Sequence, residues 1–280
     1  MAKFAPSQLI GANFSFQHVP FGETAKAIRG LGLSEMELWC IAPHLDLFHS
    51  TDADVRRLRS ILDDNGLTVC CLTPEQVQYP VNIASGDDAY REASIARFCR
   101  AADIAVALGA EYLFLTSGRG YESEPAAMAW DRSVEALGRI VDYAAGLGLR
   151  CLLEPLQRTE SNVLIDAAGL ERMLNALGRD TVDVVLDTVA MASAGDTVAD
   201  YLDRFGPRLA HVHVVDGTPA GHLVWGDGAL PLATWLDELA AAGYRGRLSF
   251  EPFGDGTYAL DPVTAWKRNL AAIEPYLDRG

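Results

Sequence analysis

Apolar and polar positions along this chain fall into two alternating kinds of segment. Short, nearly continuous apolar runs occupy 9–16, 34–40, 68–74, 110–117, 150–156, 183–188, 209–216 and 246–253. Runs of that length and character read as strands buried on both faces of a parallel sheet. Between them, amphipathic stretches at about 21–31, 52–65, 88–108, 125–147, 166–178, 196–204, 231–242 and 261–278 read as helices. Gly32, Gly66, Gly109, Gly148 and Gly243 precede strands, where a glycine just past a helix acts as a stop. Asp87, Asp166 and Asp261 stand near helix starts, where a carboxylate caps free amides. Eight strand–helix units with no Ser/Pro-rich linker predict an α/β fold, a (β/α)8 TIM barrel, as a single domain over 1–280. An open doubly wound sheet is the other architecture this alternation allows, but no G-x-G-x-x-G follows the first strand.

Four of the apolar runs end in a residue that can bind a metal: Cys151-Leu-Leu-Glu154, Val184-Val-Leu-Asp187, His211-Val-His213 and Leu248-Ser-Phe-Glu251. In a barrel these positions lie at the carboxyl ends of strands five to eight, the face on which barrel enzymes build their sites. Three carboxylates and an imidazole buried there are costly unless neutralised, and a divalent cation neutralises them directly. Glu154 and Glu251 are each followed by proline, which holds the preceding residue extended and ends strand pairing. The bland alternative is a set of strand-end acids paired with arginines. His211 and His213 share one face of their strand, and only His213 is level with the other candidates. His211 is therefore read as a core histidine or one that supports His213, and Asp216 as the start of the next loop or a partner that orients His213. Three oxygen donors and one nitrogen suit Mn2+ first, with Mg2+ or Co2+ as alternatives. Two glutamates across one site further suggest a base on one face of a substrate and an acid on the other, the requirement for inverting a carbon next to a carbonyl.

Composition narrows the partners. The net charge is −15, and the densest basic cluster, Arg56, Arg57 and Arg59, shares its helix with Asp52, Asp54, Asp63 and Asp64. Nucleic acid and an anionic membrane are therefore not expected as partners. No apolar stretch is long enough to span a bilayer, and the start lacks the basic-then-apolar pattern of a secretory signal. Five cysteines with no C-x-x-C pair argue for small buried apolar residues rather than disulfides, and for a reducing cytoplasm as the compartment.

Several motifs carry a family resemblance. They are Leu38-Trp39 with Pro43-His44, Leu72-Thr-Pro-Glu75, Tyr79-Pro80 with Asn82, Leu153-Glu-Pro-Leu156, Glu160-Ser-Asn-Val163, His211-Val-His-Val-Val-Asp216 and Gly226-Asp-Gly-Ala-Leu-Pro231. In this order the chain resembles the xylose isomerase-like barrels of sugar isomerases and epimerases over essentially its whole length. Within them it looks most like ketose 3-epimerases, above all those of the fructoselysine type. The resemblance implies Glu154, Asp187, His213 and Glu251 as metal ligands, with Glu154 and Glu251 also the acid/base pair. It implies substrate contacts at Glu160, His222, His44 and Glu75. Trp39 and Tyr79 read either as apolar walls for the sugar or as rim packing, Glu160 alternatively as a loop acid paired with Arg158, and His222 alternatively as a solvated loop histidine. Two places depart from the free-ketose pattern: Ala190 stands where a histidine is usual and Pro219 where an arginine is usual. Fructoselysine-type proteins resemble this chain in lacking that histidine.

The expected function is therefore a metal-dependent 3-epimerase acting on a ketose or a substituted, fructoselysine-like ketose. Other readings within the superfamily are a lyase subunit that cleaves 3-keto C-glycosides with a small partner chain, and a sugar or sugar-phosphate isomerase. An abasic-site endonuclease needs more metal ligands and a basic groove than this composition offers, and the two-glutamate set argues against a non-catalytic sugar-binding barrel. Beyond its small-molecule sugar, a homo-oligomer is expected by resemblance.

Overall fold

The computed structural model describes residues 3–77 and 80–278. Eight strands pair in parallel in chain order: β1 (Gly11–Ala12), β2 (Glu35–Cys40), β3 (Thr68–Pro74), β4 (Tyr112–Leu115), β5 (Arg150–Leu153), β6 (Val182–Asp187), β7 (Leu209–His213) and β8 (Arg247–Ser249). Leu9 bridges to Leu248, and the Ile10 amide donates to the Leu248 carbonyl at 3.0 Å, which brings the last strand back to the first. Helices α1 (Phe21–Gly30), α2 (Asp52–Asn65), α3 (Asp88–Leu108), α4 (Ala126–Gly146), α5 (Ala167–Leu177), α6 (Thr188–Ala194), α7 (Val198–Phe205), α8 (Leu232–Ala241) and α9 (Pro262–Ile273) occupy the crossovers and the C-terminal segment. The expected (β/α)8 barrel is the fold observed.

Local chemistry sets the boundaries. Asp87, Asp166 and Asp261 accept from the amides of Tyr90, Gly169 and Thr264 and so cap α3, α5 and α9. Gly66 and Gly109 end α2 and α3 in the left-handed conformation that glycine adopts without strain. The first strand is far shorter than the apolar run 9–16 suggests. Asn13 is the reason: its side-chain amide takes both the amide (2.7 Å) and the carbonyl (2.9 Å) of Trp39, doing with a side chain what a ladder does with backbone. Helix α6 follows β6 without a loop and is absent from the pattern-based reading. Its start is fixed by Asp187, whose Oδ1 accepts from the Ala190 amide at 2.6 Å.

One large core lies between sheet and helices, and a second cluster joins Ile10, Cys70, Tyr112, Phe114, Leu152 and Val185. Residues from so many strands touch only inside the barrel, so this cluster floors the site above it. At the strand starts, acids have protein cations: the buried Asp183 pairs with Arg150 at 2.8 Å, and Arg247 pairs with the partly exposed Glu35 at 2.7 Å and the exposed Glu111 at 3.0 Å. The five cysteines are free, four of them buried. Arg57 and Arg59 pair with Asp54 and Asp63 on the exposed side of α2, as expected for a solvated face of mixed charge. Among the described residues, no helix is long and apolar enough to cross a membrane.

Candidate active site

At the carboxyl ends of the strands the electrostatics reverse. Asp187 and His213 close β6 and β7, while Glu154 and Glu251 follow just past β5 and β8. One ligand atom from each of these four residues lies within 4.8 Å of the others. His213 Nδ1 is 3.0 Å from Glu154 Oε1 and 3.2 Å from Glu251 Oε2. Among the described residues, no Lys or Arg pairs with the three acids.

The donor set fits a divalent cation. Glu154 Oε1, Asp187 Oδ2 and His213 Nδ1 are buried without a hydrogen-bond partner. Buried polar atoms are nearly always paired, and orphans that converge call for an ion or water. Asp187 divides its work, with Oδ1 capping α6 and Oδ2 left for the cluster. Burial pushes the carboxyls of Glu154 and Asp187 up, and the nearby Glu251 charge adds to the rise. Burial alone would lower His213, but the carboxylates of Glu37, Glu251 and Glu154 outweigh it and raise the imidazole well above its ordinary value. The cluster thus calls for positive charge, and the fold supplies none beyond the histidines.

The three acids, Glu154, Asp187 and Glu251, open into a cavity of about 400 Å3. Trp39, Glu75, Glu160 and His222 line it with the acids. The Trp39 indole N–H donates to Glu75 Oε2 at 2.7 Å, and its ring meets Phe253 edge-on at 5.1 Å, so the tryptophan forms a fixed wall. Glu160 accepts from the Gln157 amide at 3.1 Å, and burial raises its carboxyl. Arg158, its alternative partner on sequence grounds, pairs instead with Glu122 at 2.8 Å. His222 Nε2 reaches 3.6 Å from Glu251 Oε2 and 3.8 Å from Asp187 Oδ2. Burial lowers His222, but Asp187, Glu251 and Glu160 outweigh it and raise the ring. Its backbone has φ 45°, the left-handed region that non-glycine residues rarely occupy.

Asp216 explains how that loop is held. Its carboxylate accepts from the amides of Gly217, Gly226, Gly228 and Leu230, gathering the segment that carries His222. Of the two roles open to it on sequence grounds, it takes the loop role. His44 lies outside the lining of this cavity: it bonds Asn13 at 2.7 Å and the Val19 carbonyl at 2.8 Å, and lines a separate cavity. Tyr79 lies outside the described residues. Ala190 lines the main cavity, as do the small residues Ala220 and Gly221, whereas Pro219, the other departure from the free-ketose pattern, is not among the lining residues.

One residue escaped the sequence reading. Glu37 is fully buried on β2, and its Oε2 lies 3.0 Å from His213 Nε2 and 3.1 Å from His211 Nε2. Burial alone would raise its carboxyl, but the His213 and His211 imidazoles prevail and hold it well below the usual range. The available signal was an acid in mid-strand, flanked by Met36 and Leu38, at a position that should be apolar. His211 belongs with Glu37 beneath the cluster, not with the four converging side chains.

This barrel, with its acids converging at the strand ends, defines a class. The chain matches the family described as the xylose isomerase-like TIM barrel over residues 25–276, and it belongs to that family. It is similar to the fructoselysine 3-epimerase of Escherichia coli O157:H7, with 26% identity over 237 residues covering 84% of this chain and 86% of the relative. It is also similar to the D-psicose 3-epimerase of Agrobacterium fabrum, with 29% identity over 258 residues covering 88% of this chain and 84% of the relative. Among solved structures, the apo form of 3-keto-D-glucoside 4-epimerase from E. coli shares the fold with a TM-score of 0.80 at 19% identity, covering 96% of this chain and 99% of that one.

Proposed function

We propose that this chain is a divalent-metal-dependent sugar epimerase that inverts C3 of a ketose or of a ketose bearing a substituent. The observation that carries the reading is the convergence of Glu154 and Glu251, from opposite sides of the β6–β7 pair, on one cation-ready cluster inside a sugar-sized cavity. Two relatives named as 3-epimerases support it. Glu154, Asp187, His213 and Glu251 would hold the ion, with Mn2+ the first candidate and Mg2+ or Co2+ next. When bound, a divalent cation supplies Lewis-acid polarisation of the substrate carbonyl and offsets the charge that develops beside it.

The residues do the rest. One glutamate accepts the C3 proton from one face of the sugar. The C–H electron pair becomes the C2–C3 double bond and the carbonyl oxygen takes the negative charge, giving an enediolate. The other glutamate returns a proton to C3 from the opposite face, and the double bond collapses to the ketone. In the reverse direction the two exchange roles. Glu160 and His222 contact the sugar's oxygens, and the Trp39–Phe253 wall keeps water off the planar intermediate. An adjoining cavity of about 210 Å3 shares Gln76, Thr116, Leu156 and Glu160 with the first. That continuity, with Ala190, Ala220 and Gly221, supports a substituent on the ketose. Assembly as a homo-oligomer is part of the proposal.

The test is deuterium uptake. Protein stripped by chelation and reloaded with Mn2+, Mg2+ or Co2+ is incubated in D2O with fructose, tagatose, allulose and glycated amines. Metal-dependent deuterium entry at C3 with inversion is expected. No uptake into any of them under all three ions refutes the reading, and loss of a substituent in place of inversion makes the chain a lyase.

A further inference from the structure

His213 has two ring nitrogens with different neighbours. Nδ1 faces Glu154 Oε1 at 3.0 Å and Glu251 Oε2 at 3.2 Å and has no hydrogen-bond partner. Nε2 points the other way, to Glu37 Oε2 at 3.0 Å. The ring cannot swap these edges freely, because Phe114 stacks on it at 5.6 Å and Phe14 meets it edge-on at 5.8 Å. With the ring fixed, the remaining variable is which nitrogen carries the proton.

We infer that Glu37 is a positioning residue for the metal centre: it holds the proton of His213 on Nε2 and so leaves the Nδ1 lone pair aimed at the cation. An ionised carboxylate only accepts, so the nitrogen beside it donates. A neutral ring that donates from Nε2 has its lone pair on Nδ1, the atom that joins the cluster. The opposite tautomer would point an N–H at the place an ion must occupy. Glu37 is itself held at both oxygens. The Thr73 hydroxyl donates to Oε1, while His213 and His211 flank Oε2. The β2–β3 register shifts between Met36 and Glu37, and such irregularities re-aim side chains. A metal-bound histidine generally gives its other N–H to a carboxylate or carbonyl, and loss of that partner typically weakens metal binding 10- to 100-fold.

This inference rests on the metal centre proposed above, and the experiment separates the two. Histidine-15N-labelled, Mg2+-saturated protein is examined by long-range 1H–15N NMR, and Mn2+ affinity is measured by calorimetry for wild type, Glu37→Gln and His211→Gln. Expected are a His213 protonated at Nε2 and bare at Nδ1, and an affinity loss of about 10- to 100-fold in the folded Glu37→Gln variant. His211→Gln removes one group flanking Glu37 Oε2 but leaves the Glu37–His213 contact, so its loss should be smaller than that of Glu37→Gln. Should Glu37→Gln fail to fold, Thr73→Val removes the Oε1 contact alone and should weaken Mn2+ several-fold. A proton on Nδ1, wild-type affinity in Glu37→Gln (or in Thr73→Val, if it is the variant used), or a His211→Gln loss as large as that of Asp187→Ala each overturns the inference. Wild type that binds no divalent ion brings down the metal centre and the inference together, whereas wild type that binds while Glu37→Gln binds equally well brings down the inference alone.

Discussion

Replacing Glu154 or Glu251 by glutamine separates the two faces of the proposed reaction. The amide is nearly isosteric, so the cavity keeps its shape, but it neither accepts nor returns the C3 proton. Positioned general acid–base groups contribute about 10²- to 10⁴-fold, which is roughly 3–5 kcal/mol of barrier at 1.36 kcal/mol per decade. Each substitution also takes one negative charge from ligand atoms that lie within 4.8 Å of one another, which weakens the ion. At such distances a unit charge is worth on the order of a few kcal/mol. Turnover is therefore measured at saturating Mn2+, with the affinity determined separately, so that lost metal is not mistaken for lost chemistry. Inversion should fall by roughly 10²-fold or more in each variant. The sharper expectation concerns exchange. Each variant retains one base, so it should still wash deuterium from D2O into the C3 epimer whose hydrogen faces that base. Glu154→Gln and Glu251→Gln should thus label opposite members of an epimer pair. NMR of both sugars, incubated with each variant, reads this directly. Inversion near the wild-type rate in either variant, or labelling of the same epimer by both, refutes a two-base mechanism at this pair.

Two other substitutions test the loop and the pocket. Asp216→Asn keeps one acceptor oxygen in place of a carboxylate that serves four amides. It should cost about 1–3 kcal/mol and lower Tm by several degrees. Because that loop carries His222, KM should rise more than kcat falls, and an unchanged Tm and KM would count against the assigned role. Ala190→His fills the space beside Ala220 and Gly221, so kcat/KM should fall about tenfold or more for a ketose substituted near C1 and change little for free fructose; a larger loss on the free sugar would contradict a substituent pocket.

The parts of this protein that were legible in its sequence are those with a local cause. The barrel announces itself because each buried strand must be an apolar run, and the four candidate ligands because each interrupts such a run where solvation ends. The elements that were not legible depend on partners far along the chain or on side chains that imitate backbone. Helix α6 blends into the end of strand six, since Val189–Met191 is buried and apolar and the only start signal is Asp187, already marked as a candidate ligand. The first strand loses most of its apolar run to an asparagine that clasps Trp39.

Glu37 is the deeper case. It lies 176 residues from His213, so no spacing or motif connects them. A reading by strand ends finds atoms that can reach a cation, yet reach alone does not make an imidazole a ligand, because half of its tautomers present a proton instead. The choice is made one layer below, by an acid whose own sequence context looks like an error in a strand. Acids at the strand starts of this barrel have arginines, as the buried Asp183 and the partly exposed Glu35 do, and the strand-end acids converge on a place for an ion. Glu37 has no arginine: its partners are two histidines and a threonine, and one atom each of Glu37, His211 and His213 also converge. An acid kept in the interior without a cation of its own is costly unless it governs something. Here the group within its reach is the one nitrogen donor of the candidate cluster above it.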